Sequence, residues 1–307
     1  MTNALNQHVT DYLQLRRALG FKLVFPGNVL PQFVAYLDAA GATTVTSKHA
    51  IAWARLPQNV QPITWAHRLG AVRGFATYLV TIDPANEVPP RDVFGARQQR
   101  RTPYIWSPTE IRALIHAASQ LLSPQRAATY EALFGLLAVS GLRIGEAIGL
   151  SKDDLDLDAG VLMVRESKNC RSRLVPMHPS TTAMMKMYRQ SCDGWFPSNR
   201  SQSFFLSNSG SILRDSGIRA TFVKLTTSIG LRTETVHPRI HDLRHSFAVH
   251  TLIDWQRSGV DIGSQITKLS TYLGHVNPGG TYWYLSAVPE LMELTATKLD
   301  VKFGGNR

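Results

Sequence analysis

Two tyrosines near the C-terminal end of the sequence have the chemistry of a covalent nucleophile. Tyr282 and Tyr284 flank Trp283 in the segment GGTYWYL, and His275 lies nine residues before Tyr284. A tyrosine hydroxyl attacks an electrophile such as a phosphodiester once a neighbour accepts its proton and cations stabilise the developing charge. Side chains two residues apart on a helix point about 200° away from each other, so the two hydroxyls cannot both reach one substrate group.

Three earlier segments supply the cations and imidazoles that such chemistry needs. Arg143 and Glu146 lie three residues apart in SGLRIGEAIGL, and His241 and Arg244 lie three apart in HDLRHSF, so each pair can share one helix face. Lys168 stands in the segment ESKNCRSRLVP. Taken singly, each has a simpler interpretation: an exposed Arg–Glu pair, a capping or core histidine beside a surface arginine, and a solvated lysine in a hairpin.

The spacing of His241 and His245 also allows a zinc site, because residues four apart on a helix can bind one metal ion. The zinc-protease pattern H-E-x-x-H requires glutamate at position 242, where this sequence has Asp242. No cysteine or acidic cluster offers obvious further ligands, so we expect no metal here.

In chain order, these segments resemble the motifs of the tyrosine recombinase (phage integrase) family, the site-specific DNA recombinases of bacterial mobile elements. That family carries an arginine in G-[LM]-R-x-x-E and a lysine five residues before the arginine of R-[LV]-V-P. Next come H-x-L-R, L-G-H and a tyrosine nine residues after the histidine of L-G-H. The matching residues are Arg143, Lys168 (five before Arg173), His241, Arg244, His275 and Tyr284. The resemblance covers roughly residues 107–300; each motif is weak alone, but the ordered set is specific.

The resemblance implies a covalent mechanism on DNA. Tyr284 would attack a phosphodiester and leave a 3′-phosphotyrosine and a free 5′-hydroxyl. Arg143 and Arg244 would clamp the non-bridging oxygens of the transition state, and Lys168 would protonate the leaving 5′-oxygen.

Two histidines and a glutamate have accessory roles in the same interpretation. His241 and His275 would position the phosphate and assist proton transfer from the tyrosine, whose reference pKa is about 10. Glu146 would support the site by holding Arg143. The resemblance implies no metal and no cofactor, because arginines supply the positive charge and the phosphotyrosine bond conserves the energy of the broken bond.

The sequence pattern around these residues predicts a mainly α (α+β) protein of two domains. Residues 1–90 show helical spacing of apolar residues without strand alternation, which predicts an all-α domain; the resemblance makes it a core-binding domain that clamps DNA. Residues 91–106 are a basic, proline-containing interdomain linker, and Ser107 begins the next helix with a capping box. Residues 107–307 are the catalytic domain, helical apart from a small antiparallel sheet over 154–178.

The net charge of +11 indicates a polyanionic partner, and we expect double-stranded DNA. The arginines singled out for phosphate contacts lie in the predicted helix ITWAHRLGAVRGFATYLV and in the linker: Arg68, Arg73, Arg97, Arg100 and Arg101. For the first two, a solvated helix face is an equally good interpretation.

The composition argues against secretion and against a membrane partner. The longest apolar stretches fall short of the ~20 residues of a membrane span, and the N-terminus lacks the pattern of a secretion signal. Cys170 and Cys192 are too few for a disulfide framework, so we expect reduced thiols. The expected location is the cytoplasm, in association with the nucleoid.

Three features of the C-terminal end concern geometry. Where the family commonly has a T-T pair, this sequence reads VNPGGT, and we expect Thr281 to be the N-cap of the helix that carries Tyr284. Tyr282 has no fixed counterpart in the family pattern, so packing is its expected role. Residues 287–307 predict an amphipathic tail helix, which either packs on its own domain or docks on a neighbouring protomer, as it can in family members.

The combined interpretation is a site-specific DNA recombinase or integrase that exchanges strands through a Holliday junction. It would act as a homotetramer on DNA, alone or with related partner recombinases. A type IB topoisomerase-like nicking-closing enzyme is one alternative, disfavoured by the helical domain and the candidate docking tail. An inactive DNA-binding accessory factor is the other, disfavoured by the complete set of catalytic residues.

Overall fold

The computed structural model of the protein describes residues 2–95, 101–165, 172–275, 277 and 279–287. The chain divides into two compact units, Met1–Arg101 and Thr102–Arg307. Within the described ranges, no helix is both long and apolar enough to cross a membrane.

The first unit is helical throughout its described regular structure. Its helices are α1 (Thr2–Ala18), α2 (Val24–Ala39), α3 (Ser47–Arg55) and α4 (Pro62–Val80). Thr46 caps α3 by accepting a hydrogen bond from the backbone N–H of His49 at 3.2 Å. The apolar faces of the helices meet in one core around the fully buried Phe33, Trp53 and Phe75. The all-α prediction for this unit is confirmed.

The second unit is a helical domain with a small sheet in the middle of its sequence. Its helices are α5 (Pro108–Ser119), α6 (Pro124–Ser140), α7 (Ile144–Ile148), α8 (Pro179–Trp195), α9 (Asp215–Ser228), α10 (Ile240–Arg257), α11 (Ile262–Leu273) and α12 (Gly279–Ala287). A 3₁₀ turn (Lys152–Asp154) and three strands lie between α7 and α8: β1 (Leu155–Asp156), β2 (Val161–Val164) and β3 (Arg173–Pro176).

The three strands form the predicted antiparallel sheet in the order β1-β2-β3. Val161 pairs with Pro176 and Val164 pairs with Arg173, so β3 begins beside the end of β2. Leu162 and Val175 point into the core and are fully buried. The sheet anchors Arg173 on the body of the unit, and the mainly α fold with a small antiparallel sheet is confirmed.

The start of α5 follows the predicted capping box. The backbone N–H of Glu110 donates to Oγ of Ser107 at 3.2 Å, and the backbone N–H of Ser107 donates to Oε2 of Glu110 at 2.7 Å. Pro108 occupies the first helical turn, where its missing N–H removes no intrahelical bond. These contacts involve residues within three positions of each other, which is why the sequence alone predicts them.

Two apolar clusters share α10 as a common wall. The larger is built around α6, where Leu133, Phe134 and Leu136 are fully buried. The smaller gathers residues of α10, α11 and α12, among them Leu252 and Tyr284. Because α10 packs against α6, α11 and α12, it relates the end of α6 to the helix that carries the tyrosines.

Candidate active site

A tight turn after α6 places Arg143. Gly141 adopts the left-handed conformation (φ 60°), and a Cβ there would lie 2.5 Å from Cδ1 of Phe247, so only glycine fits. Arg143 then caps α7: its Nη1 donates to Oε1 of Glu146 at 2.7 Å, and its backbone N–H donates to Oε2 at 3.0 Å. Its Nη2 donates to the carbonyl of Gly274 at 3.1 Å. The guanidinium is therefore held on two sides, while 27% of the side chain stays exposed.

Glu146 bridges two arginines from different elements. Arg173, on β3, donates from Nη2 to Oε2 at 2.8 Å and from Nη1 to Oε1 at 3.1 Å, and its Nε donates to the carbonyl of Tyr272 at 2.7 Å. Burial tends to raise the pKa of this carboxyl group, but the hydrogen bonds from Arg173 and Arg143 outweigh it and lower the pKa of Glu146 to about 2. The ionised carboxylate thereby ties β3 to α7.

We expect Glu146→Gln to lower the free energy of unfolding by about 3 kcal/mol at neutral pH, because two arginines lose a nearly buried counter-charge. The pKa of Glu146 is about 2 in the folded protein against an ordinary value of 4.5. The stabilisation is therefore complete above about pH 4.5 and is lost as the pH falls toward 2. Urea unfolding at pH 7 and pH 3 should show the difference between wild type and variant shrinking in acid.

The control for this experiment is Asp158→Asn, which removes an ion pair with Lys186. The side chain of Asp158 is 96% exposed, so its loss should leave the unfolding midpoint unchanged. A Glu146→Gln effect that is equal at both pH values would contradict the electrostatic explanation.

Arg244 is buried at the junction of three helices, with 1% of its surface exposed. Its Nη1 donates to the carbonyl of Gly141 at 2.7 Å, and its Nη2 donates to the carbonyl of Leu273 at 2.6 Å. Burial, followed by the nearby positive charge of Arg143, lowers the pKa of Arg244 to about 10. The side chain is still a cation at neutral pH, and it joins the ends of α6 and α11 to α10.

His241 and His275 contribute neutral imidazoles. Desolvation, followed by the positive charges of Arg244 and Arg143, lowers the pKa of His275 to about 4. Desolvation and then His245 lower the pKa of His241 as well, although its side chain keeps an exposed surface. Neutral imidazoles beside permanent cations are suited to contact a phosphate and to exchange a proton.

The turn before α12 is closed by His275. Gly274 ends α11 in the left-handed conformation (φ 67°), and a Cβ there would lie 2.8 Å from Nη1 of Arg173. Nδ1 of His275 is hydrogen-bonded to Oγ1 of the fully buried Thr281 at 2.7 Å. The prediction that Thr281 caps the tyrosine helix is wrong: α12 begins at Gly279, and Thr281 lies inside the helix, where it binds the histidine.

The two tyrosines of α12 have opposite environments. Tyr284 is 2% exposed and packs in the smaller apolar cluster, and its Oη lies 2.9 Å from Nδ1 of His245. Its ring is roughly parallel to that of His275, with 6.4 Å between centroids. Tyr282 is 49% exposed, which contradicts its expected packing role. Only Tyr284 is turned toward the arginines and histidines.

The sequence profile of the phage integrase family matches residues 106–290, which is more than half of the chain. The chain belongs to the phage integrase family. The protein y4rB of Sinorhizobium fredii NGR234, an integrase/recombinase by name, is 41% identical over 97% of this chain and 98% of its own length. The tyrosine recombinase XerC of Chlamydia caviae is 26% identical over 78% of this chain and 72% of its own length.

A solved structure of the Tn1549 transposon integrase, in complex with transposon right-end DNA, has the same fold. The TM-score is 0.65 with 16% identity, over 95% of this chain and 99% of that chain. At this identity the likeness establishes the fold alone, and the family match establishes the enzyme class. The protein is a tyrosine recombinase, an enzyme that breaks and rejoins DNA strands.

In this recombinase, the described residues bring five of the six predicted catalytic side chains together around the ends of α6 and α11. These five are Arg143, His241, Arg244, His275 and Tyr284. The sixth, Lys168, lies outside the described residues, as do Arg97, Arg100 and the tail from residue 288 onward. Their roles stay predictions.

The predicted DNA-contact arginines of α4 have partners within the first unit. Arg68 stacks over the ring of Trp53 at 3.7 Å and donates to the Trp53 carbonyl at 3.2 Å. Arg73 donates to the carbonyls of Pro89, at 2.9 Å, and Pro90. Both side chains are half-buried and contact residues of the same unit, so neither is simply a solvated surface residue. Contact with DNA stays a prediction for them, and for the exposed Arg101.

Sequence reasoning assigned no role in the reaction to two residues of the recombinase site. Arg173 served only to mark the position of Lys168, yet it forms the second ion pair of Glu146. His245 was considered only as a zinc ligand, yet it contacts Oη of Tyr284. The R-[LV]-V-P motif was an available signal for Arg173, whereas the contact of His245 joins residues 39 positions apart and has no local signature.

Proposed function

We propose that the protein is a site-specific DNA recombinase or integrase in which Tyr284 is the nucleophile. The observation that carries the proposal is the convergence of this one buried tyrosine with two arginines and two histidines in the family's motif order. Its hydroxyl would attack a DNA phosphodiester and form a 3′-phosphotyrosine bond, releasing a 5′-hydroxyl that later attacks this bond to rejoin a strand.

The arginines suit the stabilisation of the transition state. Negative charge grows on the non-bridging oxygens of the attacked phosphate, and planar guanidinium groups can bind these oxygens in pairs. Arg143 is partly exposed and can reach a phosphate directly. Arg244 is buried, so we propose that it contributes its charge and its unused N–H groups from beneath the phosphate.

Proton transfer requires groups at both ends of the reaction. The leaving 5′-oxygen needs a proton, and Lys168 is the proposed general acid on the strength of its place five residues before Arg173. His241 and His275 carry lowered pKa values and are proposed to position the phosphate and assist proton transfer as neutral groups. Glu146 is proposed to support the reaction by holding Arg143 at 2.7 Å.

Tyr284 must change its surroundings before it reacts, because only 2% of it is exposed. We propose that DNA binding makes its hydroxyl accessible to the phosphate while the 2.9 Å contact with Nδ1 of His245 is kept.

Double-stranded DNA carrying a specific site is the proposed substrate and partner. A net charge of +11 favours a polyanion, and the Tn1549 integrase to which the chain is similar was solved in complex with DNA. We propose that the first unit is the DNA-clamping domain, and that four protomers, identical or partly supplied by related recombinases, exchange strands through a Holliday junction. The tail over residues 287–307 would dock between protomers. Such work is expected at the nucleoid, in the cytoplasm.

A covalent trapping assay tests the function. A duplex that carries the cognate site and a nick beside the cleavage position loses a short fragment after attack, so the 3′-phosphotyrosine product cannot be rejoined. Wild-type protein should accumulate a denaturation-resistant protein–DNA complex on this substrate. Two intact sites on separate duplexes should yield recombinant products, whereas relaxation of supercoiled DNA without recombinants would favour a topoisomerase. No complex on verified cognate DNA would favour an inactive DNA-binding factor.

A further inference from the structure

We propose that His245 orients the hydroxyl of Tyr284 and accepts its proton as the tyrosine attacks DNA. The inference rests on the proposed function, with Tyr284 as nucleophile, and it assigns the proton acceptor for the attacking oxygen. His245 would be a catalytic residue, because its ring nitrogen contacts the reacting atom.

The contact that carries the proposal is the 2.9 Å hydrogen bond between Nδ1 of His245 and Oη of Tyr284. The two rings meet edge to face, with 5.4 Å between centroids. The imidazole is fixed from two further sides, since its centroid lies 4.6 Å from the ring of His241 and 5.7 Å from the ring of Trp283. These contacts hold Nδ1 toward the hydroxyl.

The two histidines named by the motif pattern are placed for other tasks. Nδ1 of His275 is bound to Oγ1 of Thr281 at 2.7 Å, and its ring is roughly parallel to the ring of Tyr284, with 6.4 Å between centroids. His241 keeps an exposed surface that a phosphate can reach. The geometry therefore gives His245 the position at the attacking oxygen and leaves His241 and His275 near the phosphate.

Arg244 and His245 are consecutive residues of α10, so this helix links the cation proposed to bind the phosphate to the histidine at the nucleophile. Arg244 is fixed by hydrogen bonds to the carbonyls of Gly141 and Leu273, and His245 is the next residue of the same helix. A rigid helix keeps adjacent residues in a constant relation, so any movement of α10 shifts both groups together. Through His245, the hydroxyl of Tyr284 is thereby aligned relative to the charge of Arg244, which stabilises the attack.

The proposed step balances in atoms and charge. The bond between Oη of Tyr284 and phosphorus forms, the bond between phosphorus and the 5′-oxygen breaks, and the phenolic proton passes to Nδ1 of neutral His245. The 5′-oxygen takes a proton from Lys168 under the proposed function. Rejoining reverses each transfer: the imidazolium of His245 returns its proton to the tyrosine oxygen as the 5′-hydroxyl attacks.

The first test is the single-turnover rate of covalent-complex formation at saturating DNA. A positioned base contributes about 10²–10⁴-fold to rate, so His245→Ala should lower this rate by that factor while the dissociation constant for DNA stays unchanged. His245→Asn places an amide near the position of Nδ1 and should restore orientation but no proton acceptance, which predicts an intermediate rate. His250→Ala, a histidine change on the same helix away from the site, should react like wild type.

The second test separates the two ends of the reaction. A substrate with sulfur in place of the bridging 5′-oxygen has a leaving group that departs without protonation. This substrate should restore the rate of Lys168→Ala, which lacks the acid, but it should leave the defect of His245→Ala in place. Full recovery of His245→Ala by sulfur would place the histidine at the leaving group and overturn the assignment.

The remaining outcomes also test the assignment of His245 as the proton acceptor. A wild-type rate for His245→Ala would refute this inference and leave the proposed function intact, whereas a wild type that forms no covalent complex would refute both. If His245→Ala does not fold, the comparison of oxygen and sulfur substrates is made with His245→Asn, which keeps a hydrogen-bonding group at the same place.

Discussion

Tyr284→Phe is expected to form no covalent complex on the nicked substrate, while Tyr282→Phe forms it as wild type does. The phenyl ring of the variant fills the same space in the apolar cluster of α10, α11 and α12 but has no oxygen to attack phosphorus. Tyr282 cannot substitute by rotation, because it projects to the opposite side of α12.

Because the two hydroxyls have such different environments, the loss of the covalent complex in Tyr284→Phe is the largest expected effect. Tyr284 is 2% exposed with its oxygen 2.9 Å from His245, whereas Tyr282 is 49% exposed on the outer side of the helix. The phenylalanine change at 284 removes the hydrogen bond with His245, worth about 1 kcal/mol, so the variant should fold and bind DNA.

The measurement is denaturing electrophoresis of the trapped complex, with DNA affinity and thermal unfolding as controls. Retention of the complex by Tyr284→Phe, or its loss in Tyr282→Phe, would show that the spacing from His275 selects the wrong residue. The two variants are matched in chemistry and differ only in position, so the comparison isolates the nucleophile.

Arg244→Ala is expected to lower the rate of the covalent step by about 10²–10³-fold, because it removes a fixed cation from the phosphate site. It should also destabilise the second unit by about 2–4 kcal/mol, since two buried carbonyls, of Gly141 and Leu273, lose their donors. Arg244→Lys keeps the charge but cannot span both carbonyls with a planar fork, so we expect little recovery of either quantity.

Two measurements distinguish these contributions. Urea unfolding gives the stability loss, and single-turnover cleavage at a temperature where each variant is fully folded gives the rate loss. Arg189→Ala, which removes an exposed cation from α8, is the charge-matched control and should change neither. A lysine variant with wild-type rate would mean that charge alone matters, and that the two-carbonyl geometry has no catalytic consequence.

Local patterns predicted the parts of the fold that depend on neighbours within a few residues. The capping box of Ser107 and Glu110 rests on hydrogen bonds between residues three positions apart. The prediction that Thr281 is a helix cap was wrong, because its hydroxyl binds His275 across the turn instead of a backbone N–H of its own helix.

Long-range packing decided what the side chains contact. For Arg68 and Arg73 the sequence offered a solvated face or a phosphate contact, but in the structure they contact Trp53 and the Pro89–Pro90 segment. Arg173 looked like a strand residue of no special role, but β3 delivers it to a carboxylate 27 positions away.

The sequence by itself determined the family, the mainly helical fold and the set of chemical groups, because ordered motifs and helical spacing are readable along one dimension. The tertiary structure decided how those groups meet. Arg244 reaches a carbonyl 103 positions earlier in the chain, and His245 reaches a hydroxyl 39 positions later. Such contacts depend on how α6, α10, α11 and α12 pack, and packing is a property of surfaces that no short segment encodes.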